Sequence, residues 1–381
     1  MVSVSRADLE RLASLHHRIW PSFRCASTMK DWYPSHPAIY DISKSYAFNA
    51  ENGPFFSGTI PKRPDDKSRI DFLGFSLRSP LGVPAGPLLN SRWVKLACQL
   101  GFDLPVYKTI RSFAHPAHAL PNMIFIEPDS PKTAHARGSM PPDLAHLTVT
   151  NSFGMPSQSP DFLLEDIAKA HQYLEEGQAL IVSIVGTPNQ GISFAEDFVR
   201  AALLAKEAGA KLIEANFSCP NVGKSEGCLY MSPETVKLFA SALVKAIHPI
   251  PLIIKVGLFH DESLLQEVLV EAARAGVRAV CGLNSVSMEV FDAEGKSALG
   301  PTRPSSGVCG AAIRPQALEW VRKAASINKK EHLNLVLMGC GGIVEPNHFD
   351  EFIEAGAKIA MAATGMMWDP YLAMKWHEKH T

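Results

Sequence analysis

The chain lacks an excess of either charge: 37 Lys and Arg stand against 38 Asp and Glu, a formal net charge of −1 over 381 residues. That balance excludes the basic field that nucleic acid or an anionic membrane would need, and it points to small-molecule work. Long apolar runs are missing too, and no stretch reaches membrane-spanning length. Met1–Glu10 has neither the basic start nor the apolar run of a signal peptide, so none is expected. Cysteine is scarce and scattered. The seven residues, at 25, 98, 219, 228, 281, 309 and 340, make no disulfide framework and no closely spaced set able to hold an iron–sulfur cluster. A reducing cytoplasm is the expected setting.

What the chain does have is 46% apolar residues, enough to bury a large core as one α/β barrel with an extension rather than as two domains. The expected division is an extension over residues 1–68 and a barrel over 69–381. Ser5–Trp20 reads as a helix, with Ser5 at its N-cap, Leu9, Leu12, Leu15 and Ile19 on one side, and Pro21 ending it. From there to Ser68 the sequence is rich in Pro, Ser, Tyr and Trp without a period. Such a stretch is expected to wrap a larger body as a packing extension or subunit contact, ahead of a membrane-touching or acceptor-binding role.

After Ser68 a regular alternation begins. Strands are expected at Pro80–Ala85, Leu104–Thr109, Ala179–Gly186, Ala210–Ser218, Leu252–Gly257, Ala279–Ser285, Leu335–Gly339 and Ile359–Thr364. Amphipathic helices are expected at Ser91–Leu100, Asp161–Glu176, Ser193–Ala208, Ser232–His248, Glu262–Ala275, Arg314–Ala325 and Pro346–Ala355. Ser193, Ser232 and Asp161 suit N-caps, and Gly101, Gly177, Gly209, Gly276 and Gly356 suit C-caps. Strand then helix, repeated about eight times, is the pattern of a TIM (β/α)8 barrel, with a doubly wound sheet as the competing topology. Arg111–Thr150, a Pro- and His-rich insertion, is expected to form part of a lid over the mouth.

Polar residues then gather where strands end, which is where barrels keep their chemistry. Lys108 ends the second strand, Lys255 lies in the fifth, and Asn284 with Ser285 ends the sixth. The fourth strand runs into Asn216-Phe217-Ser218-Cys219-Pro220-Asn221, where two carboxamides flank a thiol. Asn151, in Asn151-Ser152-Phe153-Gly154-Met155-Pro156, reaches the same place. A carboxamide offers a donor and an acceptor side by side without charge, matching the N–H and C=O edge of a cyclic imide or urea. Taken singly, each Asn is an ordinary turn residue or cap, but their joint placement favours a pyrimidine-like ligand. Near the C-terminus, Gly339-Cys340-Gly341-Gly342-Ile343 and Ala363-Thr364-Gly365 follow the last two strands, and Gly307-Val308-Cys309-Gly310 precedes a helix. Small residues there let backbone N–H groups close on a phosphate, although a tight turn alone would use the same glycines.

In this order, these segments from Leu81 to Ala373 resemble the dihydroorotate dehydrogenase family and the related dihydropyrimidine dehydrogenase flavin domains. The resemblance implies a (β/α)8 barrel holding FMN across its mouth and oxidation of dihydroorotate to orotate in pyrimidine synthesis. By that resemblance Cys219 is the base that removes the C5 proton while hydride leaves C6 for flavin N5. Cys228 is the nearer rival thiol, and a small buried side chain is the bland alternative for Cys219. Lys108 looks like the lysine near flavin and substrate, and Lys255 like the one facing the flavin N1 and O2 edge. Lys108, Asn151, Phe153, Gly154, Met155, Asn216, Asn221, Asn284 and Ser285 match substrate contacts. Ala85, Gly86, Lys108, Thr109, Asn151, Asn216, Lys255, Asn284, Gly310, Gly341, Gly342, Ala363 and Thr364 match cofactor contacts.

This chain joins two patterns within the family. A cysteine base resembles soluble members, whereas a long N-terminal extension resembles members that use membrane quinone. Ser157 and Ser159 replace the Asn and Gly usual in the stretch that follows the Asn151–Pro156 motif. A diffusible acceptor or a separate acceptor subunit is expected, with fumarate, nicotinamide nucleotide and quinone all open, and a homodimer is the expected assembly. Another dihydropyrimidine as substrate, a phosphate-binding barrel lyase or aldolase, and a flavin protein without turnover stand as alternatives.

Overall fold

The structure, a computed structural model, describes residues 31–64, 69–188, 191–218 and 228–380. Eight parallel strands close on themselves in chain order. They are β1 Leu81–Val83, β2 Leu104–Ile110, β3 Ile181–Ile184, β4 Leu212–Asn216, β5 Leu252–Lys255, β6 Ala279–Gly282, β7 Val336–Cys340 and β8 Ile359–Met361. Pairing of β8 with β1, Ala360 opposite Leu81, completes the circle, so the topology is the expected (β/α)8 barrel and not an open sheet. Strands end slightly earlier than their apolar runs suggest. The run from Ile359 stops at Met361 and that from Ala279 at Gly282, because the following residues turn into the mouth.

The surrounding helices are α1 Ser91–Gln99, α2 Pro160–Gln172, α3 Phe194–Glu207, α4 Pro233–Ile247, α5 Glu262–Arg274, α6 Arg314–Lys330 and α7 Pro346–Glu354. Ser193 and Glu196 form a reciprocal capping box on α3, and Ser232 accepts the Thr235 N–H on α4. Asp161 does not cap α2. Ser159 does, accepting from Phe162 N, because Pro160 takes the first helical position, where a missing N–H costs nothing. After α3 the chain reverses at Gly209, whose φ of +92° is strained for any other residue.

Two apolar layers hold the barrel. Strand side chains such as Val182, Ile213 and Ile254 pack outward on the helices, where Phe198, Phe217 and Phe239 stack edge to face. Leu104, Ile181, Leu212, Ile253, Met338 and Ile359 fill the interior. A hairpin of Ile70–Phe72 and Phe75–Leu77 sends the fully buried Phe72 and Leu77 into that interior cluster. Its two-residue turn, Leu73-Gly74, has positive φ at both positions, the geometry that matches strand twist. One end of the barrel is thus plugged with hydrocarbon.

The insertion is more ordered than its composition implies. Met123–Pro128, Thr133–Ala136 and Thr148–Asn151 join Val286–Phe291 and Ser305–Gly310 in a second, five-stranded closed sheet. Asn151 stands opposite Gly307 in that sheet. Residues 31–64 belong to the same compact unit as the barrel, which spans Asp31–Thr381. Their helix, Tyr46–Asn52, is capped by Ser45, and the Ala50 carbonyl accepts from Asn90 and Arg92. The expected helix at Ser5–Trp20 lies outside the described residues. Among the described residues no helix is long and apolar enough to cross a membrane.

Near the plugged end, Arg63 grips the fully buried Asp103 through two bonds of 2.6 and 2.7 Å, and Ser79 adds a third at 2.6 Å. Removing the carboxylate strands a mostly buried guanidinium. Asp103→Ala is therefore expected to cost about 3–5 kcal/mol of unfolding free energy, measured in urea, with Asp103→Asn costing less.

Candidate active site

The open end of the barrel carries a pocket. Thirteen of the residues expected at the site line it: Ala85, Gly86, Lys108, Thr109, Asn151, Phe153, Met155, Asn216, Lys255, Asn284, Ser285, Ala363 and Thr364. They arrive from β1, β2, β4 and β5, from the turn after β6, from the end of the Thr148–Asn151 strand, and from the turn after β8. Gly154, Gly310, Gly341 and Gly342 are not among the lining residues and lie behind the surface. Cys219 and Asn221 lie outside the described residues. The rival thiol, Cys228, bridges backbone to backbone with Ser218 and does not line the pocket.

The carboxamides form a connected group. Asn284 Nδ2 donates to the Ser218 carbonyl and lies 3.5 Å from Asn216 Oδ1, which in turn accepts the Ser218 N–H at 3.1 Å. Asn216 is thereby fixed in rotamer by the backbone of the loop that leads to Cys219. Asn151 Nδ2 reaches Cys309 Sγ at 3.5 Å, and Asn216 Nδ2 reaches Met155 Sδ at 3.7 Å. Sulfur is a weak acceptor, so both amides keep most of their donor capacity for a ligand.

The Phe153–Met155 segment is held from behind. Arg111, buried, donates to the Met155 carbonyl at 3.0 Å and the Gly154 carbonyl at 3.2 Å. His118 N donates to the Phe153 carbonyl at 3.0 Å. Gly154 has φ +75°, and a Cβ there would strike the His118 ring, which accounts for the glycine. Desolvation, then the Arg303 charge, holds His118 below the ordinary histidine range, so it packs as a neutral ring.

Two lysines bring positive charge. Lys108 Nζ donates to the Gly86 carbonyl at 3.1 Å and sits over the Tyr46 and Phe153 rings, 5.7 and 5.4 Å from their centroids. Lys255 is buried in the floor, 3.3 Å from Glu214 Oε1. Burial pulls this lysine down, but the Glu214 carboxylate outweighs it and leaves the ammonium above the ordinary lysine range. The floor also contains Cys340 and Cys309, whose thiols burial pushes up to about 11 and about 12. Neither is poised to act as a base.

Four lining residues carry no mark in the sequence: Tyr40 and Tyr46, from the 31–64 segment, and Met123 and Met367. Tyr40 packs edge to face on Phe153 and is buried, which raises its hydroxyl above the usual tyrosine range. These aromatics stand in an aperiodic stretch, so composition alone marked them only as surface wrapping. The pocket therefore combines aromatic and thioether lining with three carboxamides and a cation in the floor. Apolar surface with a few convergent polar groups suits a small heterocyclic ligand.

Gly86 lines the pocket, and a Cβ built there meets no protein atom within 4 Å. Gly342 is the opposite case, since at φ +79° its Cβ would collide with Arg314 Cβ and lie 2.7 Å from the Arg314 backbone N.

Comparison with known proteins gives a consistent set of relatives. The dihydroorotate dehydrogenase family model matches residues 71–379. Dihydroorotate dehydrogenase of Dictyostelium discoideum is 50% identical over 365 residues, covering 91% of this chain and 99% of the relative. The catalytic subunit of dihydroorotate dehydrogenase B (NAD(+)) from Bacteroides thetaiotaomicron is 28% identical over 247 residues, 64% of this chain and 76% of that one. The NAD-dependent dihydropyrimidine dehydrogenase subunit PreA of Escherichia coli is 26% identical over 311 residues, 78% of this chain and 68% of that one. In fold, the chain is similar to DHODH from Eimeria tenella, crystallised with ferulenol, with a TM-score of 0.66 at 16% identity, covering 84% of this chain and 85% of the other.

The two glycines separate ligand space from backbone strain. Gly86→Val is expected to leave unfolding free energy within about 0.5 kcal/mol of the parent while abolishing retention of the bound planar ligand. Gly342→Ala is expected to cost about 1–3 kcal/mol. Thermal unfolding, with absorbance of the purified protein, reads both.

Proposed function

The chain belongs to the dihydroorotate dehydrogenase family, and from that premise we propose that it oxidises dihydroorotate with FMN in the pocket and Cys219 as the base. It is an oxidoreductase acting on a CH–CH bond. The observation that carries the site assignment is the convergence of Asn151, Asn216 and Asn284 with Lys108 and Lys255 at one barrel mouth.

The residues present fit a flavin. Gly86 leaves open space above its backbone, Ala85, Thr109, Ala363 and Thr364 supply small contacts, and Lys255 offers a buried cation to a ring edge. When bound, FMN supplies the hydride acceptor, taking hydride from C6 of the substrate at N5. The protein does the rest. Asn151, Asn216, Asn284 and Asn221 present donors and acceptors to the cyclic imide, and Ser285 stands beside them. The Phe153–Met155 segment, braced by Arg111, closes on the substrate carboxylate. Lys108, held over two aromatic rings, gives that anion a cation. Tyr40, Tyr46, Met123 and Met367, which also line the pocket, exclude water.

Cys219, as a thiolate, takes the C5 proton and becomes a thiol, so the site must hand that proton to solvent before the next turnover. An ordinary cysteine titrates near pKa about 8.5, and activity is expected to rise with pH across that range. The setting we propose is a cytoplasmic homodimer that passes electrons to a diffusible acceptor or a separate subunit. Relatives named for NAD(+) and as a catalytic subunit support the second route. Fumarate, nicotinamide nucleotide and quinone, offered in turn to the reduced protein, identify the acceptor by which one reoxidises it.

Cys219→Ser is expected to keep its flavin and to be reduced by dihydroorotate roughly 10²–10⁴ times more slowly, with the rate profile displaced to higher pH. Anaerobic stopped-flow absorbance measures it. Unchanged reduction kinetics would remove Cys219 from the reaction, and a colourless parent protein would remove the flavin.

A further inference from the structure

Beneath the pocket floor, four successive barrel strands each contribute a polar side chain to one row, and the four touch in order. Thr109 Oγ1 on β2 meets Ser183 Oγ on β3 at 3.0 Å, and Ser183 donates to Glu214 Oε1 on β4 at 2.9 Å. Lys255 Nζ on β5 donates to the same oxygen at 3.3 Å. Only the two ends of this row, Thr109 and Lys255, line the pocket, whereas Ser183 and Glu214 lie under it. The Glu214 side chain is fully buried and that of Lys255 is 4% exposed. Glu214 Oε2 is buried with no hydrogen-bond partner among the described residues.

Such a carboxylate is costly to keep, since two ions taken out of water rarely recover their hydration in mutual attraction. It serves no packing need that a leucine would not meet better. Its effect is on the lysine. An ammonium this deeply buried sheds its proton unless an anion stands beside it. The other titratable groups near Lys255 are Cys281 and Cys340, on β6 and β7, and Cys309, while Lys108 lines the same pocket from β2. Burial raises all three thiols above the ordinary cysteine range, so they bring no negative charge at neutral pH. Glu214 alone among these groups supplies it.

We propose that Glu214, positioned by Ser183, is the residue that keeps Lys255 charged, so that the floor presents a fixed ammonium to the flavin edge where negative charge gathers on reduction. The role toward flavin rests on the function proposed above, whereas the effect of Glu214 on Lys255 does not. Glu214 touches neither ligand and acts through the lysine as a positioning residue. With the carboxylate in place, the ammonium persists through neutral pH and is lost only above the ordinary lysine range.

The test is made on the purified full chain with its lysines labelled with carbon-13 at Cε, and Lys255→Met identifies the signal. In the parent, the Lys255 signal should stay flat between about pH 6 and about pH 9. In Glu214→Gln it should titrate, its midpoint lowered by on the order of 3 pH units, and Glu214→Asp should restore the flat response. The flavin midpoint potential of Glu214→Gln should fall across that same titration, with no matching break in the parent. A Lys255 signal that stays flat in Glu214→Gln overturns the proposal. Flavin content of the parent is read separately, so a chain without flavin refutes the functional reading while the lysine titration still decides this one. Should Glu214→Gln not fold, the double variant Lys255→Met/Glu214→Gln decides: recovery of folding supports the dependence, and an equally unfolded double variant overturns it.

Discussion

Closing a parallel sheet into a barrel encloses its inward side chains, so their polar atoms must find partners among one another, in the loops at the mouth or in a ligand. This constraint divides the molecule. At one end the interior is hydrocarbon, completed by Phe72 and Leu77 from the hairpin. Toward the other end the strands carry Thr109, Ser183, Glu214, Asn216 and Lys255, which bond to one another, as the first three and Lys255 do, or to the loops at the mouth, as Asn216 does. The pocket is therefore where the barrel's internal packing is left for something else to complete. Stability is concentrated in the apolar half, and chemistry in the half that stays polar.

The barrel was legible because its signal is local. Each strand is a short apolar run and each helix an amphipathic repeat bounded by a cap, so seven helices and eight strands could be placed within a few residues. The strand-end residues followed from position, since a barrel keeps its chemistry at one mouth. Arg111–Thr150 was legible only as an insertion. Its strands are short and interrupted by proline and histidine, and they pair with residues far along the chain, as Asn151 does with Gly307. No local period records such a partner. Tyr40 and Tyr46 were missed for a related reason, because their segment follows the barrel surface instead of any repeat. Glu214 sat unnoticed within an apolar run, since its partners Ser183 and Lys255 belong to the neighbouring strands.

The two additions to the barrel act on the same space. The 31–64 segment brings Tyr40 and Tyr46 to one wall, and the five-stranded sheet brings Asn151, Met123 and Val149 to another. Arg111 ties the Phe153–Met155 segment between them through its carbonyl bonds. Neither addition is needed to close the barrel, and both are needed to close the pocket. Part of the pocket lining thus comes from outside the barrel core, and additions of this kind are how one barrel fold supports many reactions.

The pairing of residues 148–151 with 305–310 has a consequence for synthesis. A nascent chain emerging in order can lay down the first six barrel strands before the second partner of the 148–151 strand exists. The roof of the pocket is consequently one of the later pieces to assemble, and until then Asn151 is paired on one side only, with Met123. A ligand that binds only the finished pocket then acts as a late folding partner, drawing the population toward the closed form by mass action.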